Sequence, residues 1–329
     1  MCMKNLKKSL CLLLAFATLA LCGCSSAPAP SEATTTASTQ ATIDRNAPLS
    51  DGETLKMLAI TSSFGLNTTQ LLYDVAIAEG CTDVVVGRLY YSGCTLQRHV
   101  DFAKNNSMEY QYTKISDGSY ETKEGYSLKF GLQDEDWDII YIQQGAANAG
   151  IESTYGNYLD ELMVYIHEYK TNPNARFVWN MTWAYQGDSD QNVFVNTYNC
   201  DQMAMYNAIV TTTQNQILPR TDIERIIPSG TAIQNARTSA FGDTLCKDTY
   251  HLNNYGAVFT AYCVYSVLTG KEITEVNLDI EAATKWNGIN GADRITSPLT
   301  DEQKAIIIEC VNNAIKNPYQ VTPSAYSGK

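Results

Sequence analysis

The chain has 329 residues and carries 35 acidic against 23 basic side chains, for a formal net charge of −12. A negative excess of this size argues against nucleic acid or an anionic membrane surface as a binding partner and is compatible with a neutral substrate such as a glycan. Beyond residue 24 no cysteine or histidine pattern has the spacing of a zinc site, so we expect no metal and no cofactor.

The first 24 residues have the pattern of an export signal. Three lysines precede an uncharged apolar run at residues 10–21, which is too short for a stable membrane span. The run ends in Leu21-Cys22-Gly23-Cys24, which resembles the lipobox of bacterial lipoproteins. The resemblance implies cleavage before Cys24, lipidation of its thiol, and an exported protein that faces outward from the cell membrane. The alternative is an ordinary secretory signal.

The segment after the signal is rich in Ser, Thr, Ala and Pro, with almost no large apolar residue. Such a composition cannot bury enough surface to offset the entropy lost on ordering, so it predicts a flexible tether. We therefore expect a signal peptide at residues 1–23, a lipidated tether at 24–52 and one folded domain at 53–329. Loss of residues 1–23 removes three lysines and no acid, which makes the mature chain more negative still.

Short apolar runs alternate with amphipathic segments through the folded domain. The apolar runs predict five strands, at residues 55–61, 83–90, 137–143, 176–181 and 223–227. The amphipathic segments predict helices at residues 68–78, 99–105, 155–169, 202–218, 253–268 and 300–316. Residues 110–130 alternate in part and predict an inserted antiparallel hairpin. This order predicts an α/β fold with three α/β/α layers around a mostly parallel five-stranded sheet.

The first predicted strand ends at a cluster of small polar residues, Thr61-Ser62-Ser63. A serine at the carboxyl end of a parallel strand, next to the start of a helix, stands where open α/β sheets bind ligands. It is therefore a candidate nucleophile. The alternative is that Ser62 and Ser63 only cap the helix.

One of the three histidines lies in Asp248-Thr249-Tyr250-His251. A carboxylate three residues before a histidine can orient the ring through Nδ1 and leave Nε2 free to take a proton from a serine. In isolation, the same pattern also fits a turn-capping aspartate beside a solvated histidine.

Taken together, the blocks at residues 55–268 resemble the SGNH (GDSL-like) hydrolases, whose fold is flavodoxin-like. The resemblance implies that Ser63 is the nucleophile and that Asp248 and His251 complete its triad. Gly93 after the second strand corresponds to the oxyanion-hole glycine, which acts with the backbone N–H of Ser63. Gln144-Gly145-Ala146-Ala147-Asn148 resembles the third block, whose asparagine completes the oxyanion hole.

Within the SGNH group, the likeness is greatest to an exported bacterial subfamily of uncharacterised function. Three strings carry it, at residues 59–64, 181–185 and 227–235. The chain departs from the family pattern at Thr61-Ser62, where a small Gly-Asp or Gly-Asn pair is usual, so either Ser62 or Ser63 fits as nucleophile. The third block has alanine at two polar positions, so the side-chain oxyanion donor is either Asn148 or Gln144.

Three further residues have two interpretations each. Trp183 ends a strand and either contacts a sugar or packs the sheet. Arg237 either holds a substrate carboxylate or caps a helix. Cys94 is either a rival nucleophile or a small core thiol.

These patterns predict a cell-surface serine esterase that removes ester groups, chiefly acetyl, from a carbohydrate. One alternative is a catalytically weak glycan-binding lipoprotein on the same fold, and another is an esterase for small lipids. The oligomeric state cannot be read from the sequence.

Overall fold

The computed structural model describes residues 47–287, 289 and 293–327, which all belong to one unit at residues 43–329. The expected signal peptide, the lipidation site Cys24 and the tether up to residue 46 lie outside the described residues. Among the helices of the described ranges, none combines the length and the hydropathy needed to cross a membrane.

Seven strands of the described chain form one sheet: β1 (Thr54–Thr61), β2 (Asp83–Tyr90), β3 (Tyr110–Ser116), β4 (Ser119–Tyr126), β5 (Ile139–Ile142), β6 (Arg176–Asn180) and β7 (Arg225–Ile227). Their order across the sheet is β4-β3-β2-β1-β5-β6-β7. Strands β2, β1, β5, β6 and β7 are parallel, whereas β3 and β4 are antiparallel to their neighbours. The α/β fold is confirmed, but the sheet has seven strands instead of five because the inserted hairpin joins its edge at β2.

The five parallel strands, numbered among themselves, have the order 2-1-3-4-5. In this doubly wound arrangement the connections leave in opposite directions from β1, so a crevice opens between β1 and β5 at the carboxyl end of the sheet. Thr61 ends β1 and Ile142 ends β5. The residues that follow them therefore lie at the position where such folds bind ligands.

Eleven α-helices of the described residues surround the sheet: α1 (Ser63–Thr69), α2 (Leu72–Ala78), α3 (Leu96–Asn105), α4 (Leu128–Gln133), α5 (Tyr158–Tyr169), α6 (Asn192–Tyr198), α7 (Gln202–Gln216), α8 (Ser229–Arg237), α9 (Asn254–Thr269), α10 (Ile280–Trp286) and α11 (Asp301–Lys316). The expected helix at 68–78 is in fact two helices, and the first begins five residues earlier. Its start was missed because α1 buries Gly65, Asn67 and Thr68 where an apolar stripe would be expected.

The sheet separates two apolar cores. Leu58 and Ile60 of β1 point to the core covered by α3, α4 and α5, whereas Met57 and Ala59 point to the core that contains α1, α2, α8, α9 and α11. Helix α9 is apolar on all sides because it lies inside this second core, with nearly all of its residues buried. Because α9 begins at Asn254, three residues after His251, its burial fixes where the Asp248–His251 loop lies relative to the sheet.

Candidate active site

The turn between β1 and α1 separates the two candidate serines. Ser62 is 1% exposed, and its Oγ accepts a 3.2 Å hydrogen bond from the Nε2 amide of Gln143. Ser63 is the first residue of α1, and its side chain is only partly buried. Gly65 permits this tight turn, because a Cβ there would lie 1.7 Å from Thr61 Oγ1. Of the two serines, Ser63 therefore has the more accessible hydroxyl.

The Asp248–His251 segment folds as a closed loop before α9. Asp248 Oδ2 lies 2.7 Å from His251 Nδ1, and Asp248 Oδ1 accepts the backbone N–H of His251 at 2.8 Å. Partial burial opposes ionisation of Asp248, but the hydrogen bonds from the His251 ring and backbone outweigh it, so the pKa of Asp248 lies below its ordinary value. An ionised Asp248 holds Nδ1–H of the imidazole and leaves Nε2 as the free ring nitrogen.

Aromatic packing brings this loop to the start of α1. The ring of Phe64, the residue after Ser63, lies 5.8 Å from the His251 ring between centroids in an edge-to-face arrangement. On its other side Phe64 stacks on Trp183 with a centroid distance of 4.1 Å. The structure therefore places the Asp248–His251 loop against Phe64, the residue after Ser63, near the carboxyl end of β1, although more than 180 residues separate this loop from Ser63 in the sequence.

Gly93 lies in an exposed turn beside this serine. The backbone N–H of Tyr91 donates to the Thr61 carbonyl at 3.2 Å, which ties the end of β2 to the end of β1. Gly93 has a φ of +60°, a left-handed conformation that glycine adopts without strain. Within the described part of the chain, its N–H has no hydrogen-bond partner and is free to bind an anionic oxygen.

The two candidate amides of the third block have different surroundings. Gln144 is 1% exposed, its Oε1 accepts the N–H groups of Leu96 and Gly145, and its Nε2 donates to Thr154. Asn148 ends a short 3₁₀ turn, Ala146–Asn148, and is partly buried. No described residue forms a hydrogen bond with its side-chain amide, so Asn148 and not Gln144 has a donor to offer.

The structure contradicts the predicted substrate contact of Trp183. Its side chain is 0% exposed, it stacks on Phe64, and its Nε1–H donates to the Tyr250 carbonyl at 2.8 Å. A ring enclosed in this way cannot contact a sugar. The packing interpretation is the right one, because the segment after β6 turns inward beneath the Asp248–His251 loop.

Arg237 is likewise not a substrate ligand. It is 9% exposed at the end of α8, where its Nε forms a 2.8 Å ion pair with Asp243 Oδ1. Its other nitrogens donate to Gln234 Oε1 and the Ala184 carbonyl. The guanidinium is therefore held inside the protein by this ion pair and two hydrogen bonds, and it joins α8 to neighbouring loops.

Cys94 is a core thiol. Its Sγ lies 3.4 Å from His99 Nδ1, which also contacts the Tyr110 hydroxyl at 2.6 Å, and all three side chains are buried. Burial raises the pKa of the Cys94 thiol well above its ordinary value and lowers the pKa of His99 to about 3. The pair is thus neutral, and Cys94 does not supply a thiolate nucleophile.

A network of hydrogen-bonded, buried polar side chains lies beneath the site and was not predicted from the sequence. Gln143 Oε1 accepts the Tyr141 hydroxyl and the Asn180 amide, and Asn180 Oδ1 accepts the Ser229 hydroxyl at 2.6 Å. Together with Ser62, this network runs along the carboxyl ends of β1, β5, β6 and β7. The available signal was that each of these polar residues lies within two residues of the end of a predicted strand, although buried hydrogen bonding cannot be read from a pattern.

Comparison with known proteins found one matching family and several similar solved structures. The family described as DUF4886, a domain of unknown function, matches residues 56–284. The chain is similar to a DUF4886 family protein from Bacteroides uniformis ATCC 8492, whose crystal structure is 32% identical with a TM-score of 0.72, over 84% of this chain and 100% of that one. A search of curated proteins found no match.

Two more distant structures also match. A protein from Slackia heliotrinireducens that is provisionally named an SGNH hydrolase is 15% identical, with a TM-score of 0.43, over 65% of this chain and 99% of that one. LAE5, an α/β hydrolase enzyme from the metagenome of Lake Arreo, Spain, is 10% identical, with a TM-score of 0.35, over 74% of this chain and 100% of that one. Similarities this low carry no inference about activity.

Proposed function

This chain belongs to the DUF4886 family, and we propose that it is a serine ester hydrolase of SGNH type with Ser63 as its nucleophile. One observation carries the proposal: the 2.7 Å contact of Asp248 Oδ2 with His251 Nδ1, in a loop that packs its histidine ring on the residue after Ser63. An oriented imidazole next to an accessible serine is the arrangement that activates a hydroxyl.

The reaction proceeds through an acyl-enzyme. Ser63 Oγ attacks the ester carbonyl carbon while His251 Nε2 takes the hydroxyl proton, and Asp248 stabilises the imidazolium. The C–O bond to the alcohol then breaks, and His251 returns the proton to the leaving oxygen. Water, deprotonated by His251, attacks the acyl-serine. The bond to Ser63 Oγ then breaks, Ser63 takes the proton back from His251, and the carboxylic acid leaves. All protons are exchanged within the triad, the substrate and water.

Backbone and side-chain donors stabilise the tetrahedral oxyanion. The proposed donors are the N–H groups of Ser63 and Gly93 and the side-chain amide of Asn148. The free N–H of Gly93 and the unengaged amide of Asn148 support this assignment, whereas the fully bonded amide of Gln144 excludes it from the set. Loss of one such donor typically costs about 3 kcal/mol of transition-state stabilisation.

We infer that the ester is an acetyl group on a neutral glycan. The net charge of −12 disfavours anionic substrates. Tyr250 is partly buried, with its ring 4.0 Å from that of His251 between centroids. This ring borders the site and offers an apolar face to a sugar in the place of the enclosed Trp183.

The direct experiment measures acetate release by the full chain from an acetylated xylan and hydrolysis of p-nitrophenyl acetate at neutral pH. We expect the parent to show both acetate release and p-nitrophenyl acetate hydrolysis, and we expect Ser63→Ala to lose both. Glycan binding that survives Ser63→Ala, with no hydrolysis in the parent, would establish the glycan-binding alternative. Faster turnover of long-chain than of acetyl esters would establish the small-lipid esterase.

The cellular location is part of the same proposal. Lipidation of Cys24 would hold the enzyme on the outer face of the cell membrane. Cys24→Ser should release the protein from the membrane fraction, and Cys22→Ser is a matched control that should stay bound. Retention of the Cys24→Ser protein in that fraction would contradict the lipoprotein assignment.

A further inference from the structure

Two buried side chains hold the backbone on either side of His251. The Trp183 indole Nε1–H donates to the carbonyl of Tyr250, the residue before His251, at 2.8 Å. Asn67 Oδ1 accepts the backbone N–H of Leu252, the residue after it, at 3.2 Å. Trp183 and Asn67 are 0% and 3% exposed. The peptide that carries the imidazole is thus bonded from both sides by groups that water does not reach.

Both hydrogen bonds link the His251 backbone to α1, the helix that begins at Ser63. Asn67 lies in α1 four residues after Ser63, one helical turn away. Trp183 reaches α1 through its ring, which is nearly parallel to that of Phe64, with an interplanar angle of 6°. A shift of α1 therefore moves both supports of the His251 backbone together with Ser63.

Contacts inside the loop do not by themselves fix the position of His251 relative to α1, although the His251 carbonyl accepts the Lys247 N–H at 2.9 Å. Thr249 has a φ of +71°, an unfavourable conformation for a β-branched residue. Among the described residues, the His251 side chain forms its hydrogen bond with Asp248, which belongs to the same loop and moves with it. Asp248 therefore sets the rotation of the ring within the loop but cannot set the position of the loop relative to α1.

We propose that Trp183 and Asn67 are positioning residues that fix the His251 imidazole relative to Ser63. This inference rests on the proposed function for its catalytic consequence, because proton transfer falls steeply when a base is displaced by about 1 Å. It assigns Trp183 a role different from the predicted sugar contact. The defect on losing either bond falls on kcat, since neither side chain touches the substrate.

The test compares Trp183→Phe with Trp179→Phe in the full chain. Both tryptophans are buried, and Trp179 lies in β6 on the opposite face of the sheet, where its ring packs against Tyr155. Each variant loses the same atoms, but only Trp183→Phe removes the bond to the Tyr250 carbonyl while keeping a ring against Phe64. Asn67→Leu removes the acceptor for Leu252 and keeps a side chain that branches at the same carbon.

For p-nitrophenyl acetate, we expect Trp183→Phe and Asn67→Leu to lower kcat roughly 10- to 100-fold with KM within about twofold. Trp179→Phe should retain the parent kcat. Equal kcat values in Trp183→Phe and Trp179→Phe would overturn the proposal, and so would a defect confined to KM.

A second measurement does not depend on turnover. The proton NMR resonance of His251 Nδ1–H, identified by its loss in His251→Gln, should shift or broaden in Trp183→Phe and Asn67→Leu and stay unchanged in Trp179→Phe. An unchanged resonance in both positioning variants would overturn the proposal even if the parent were active. If the parent hydrolyses no ester, the proposed function fails, and this resonance alone decides whether the two side chains position His251.

Discussion

Gln143 Nε2 donates a 3.2 Å hydrogen bond to Ser62 Oγ, and this bond places Ser62 inside the end of the sheet. Gln143 is in turn bonded to Tyr141 and Asn180. The first serine of the Ser62-Ser63 pair is therefore part of the scaffold under the site, and the second is presented at its surface.

The two serines should respond differently to the same substitution. Ser63→Ala should abolish nearly all ester hydrolysis, by roughly 10⁴-fold or more. Ser62→Ala should retain most activity but lower the free energy of unfolding by about 1–3 kcal/mol, because Gln143 Nε2 is left buried without its acceptor. Steady-state kinetics and urea unfolding measure the two effects. An inactive Ser62→Ala beside an active Ser63→Ala would place the nucleophile one residue earlier.

The two candidate amides, Asn148 and Gln144, should also differ in what their substitution affects. Asn148→Ala should lower kcat by roughly 100- to 1,000-fold with little change in stability, because an oxyanion donor is lost. Gln144→Ala should lower the free energy of unfolding instead, since the N–H groups of Leu96 and Gly145 lose their acceptor. Stability unchanged in Gln144→Ala, together with full activity in Asn148→Ala, would refute this division of roles.

The thiols provide a test of the rival nucleophile. Burial raises the pKa of Cys94, so it should resist iodoacetamide at pH 8 in the folded chain, whereas the exposed Cys200 should react. Activity should persist after Cys200 is modified. Peptide mapping by mass spectrometry identifies the modified residue, with Cys200→Ser as the control. Modification of Cys94 in parallel with loss of activity would restore the cysteine alternative.

Asp74 should make stability depend on pH. Burial raises its pKa to about 6 in the folded chain, above its ordinary value near 4. Between these pH values the folded state binds more protons than the unfolded state, so stability falls as pH rises through this window, by at most roughly 3 kcal/mol.

Asp74→Asn removes this titration and keeps an oxygen for Asn287 Nδ2. Its stability gain over the parent should therefore be small at pH 4 and grow toward pH 7. The exposed substitution Asp101→Asn is the control. Equal pH slopes of the unfolding free energy in Asp74→Asn and the parent would contradict the assignment.

Most of the fold could be predicted from the sequence because the patterns that indicate its strands and helices are local. Each parallel strand is a short apolar run that ends at a polar cluster, and such runs predict strands buried on both faces. The pairing of the hairpin with β2 could not be predicted, because the register that places Arg88 opposite Thr113 depends on where the inserted segment returns to the sheet. Seven strands replaced the expected five for that reason.

At the site, the order of the blocks predicted Ser63, Asp248 and His251 as the triad, but burial decided the roles of other residues. Trp183 follows a strand, as a substrate-binding ring could, yet it is covered by Phe64, a residue 119 positions earlier in the sequence. The preference for Asn148 over Gln144 likewise depends on contacts with Leu96 and Thr154, which no spacing reveals.

In the proposed mechanism His251 activates Ser63 as the nucleophile. Treatment of the full chain with a fluorophosphonate, followed by fragmentation of the peptide that contains Ser62 and Ser63, tests this activation without a substrate. We expect one adduct, on Ser63 Oγ, formed by the parent and by Ser62→Ala and nearly absent in His251→Ala. An adduct on Ser62, or equal labelling of Ser63 in the parent and in His251→Ala, would contradict the account.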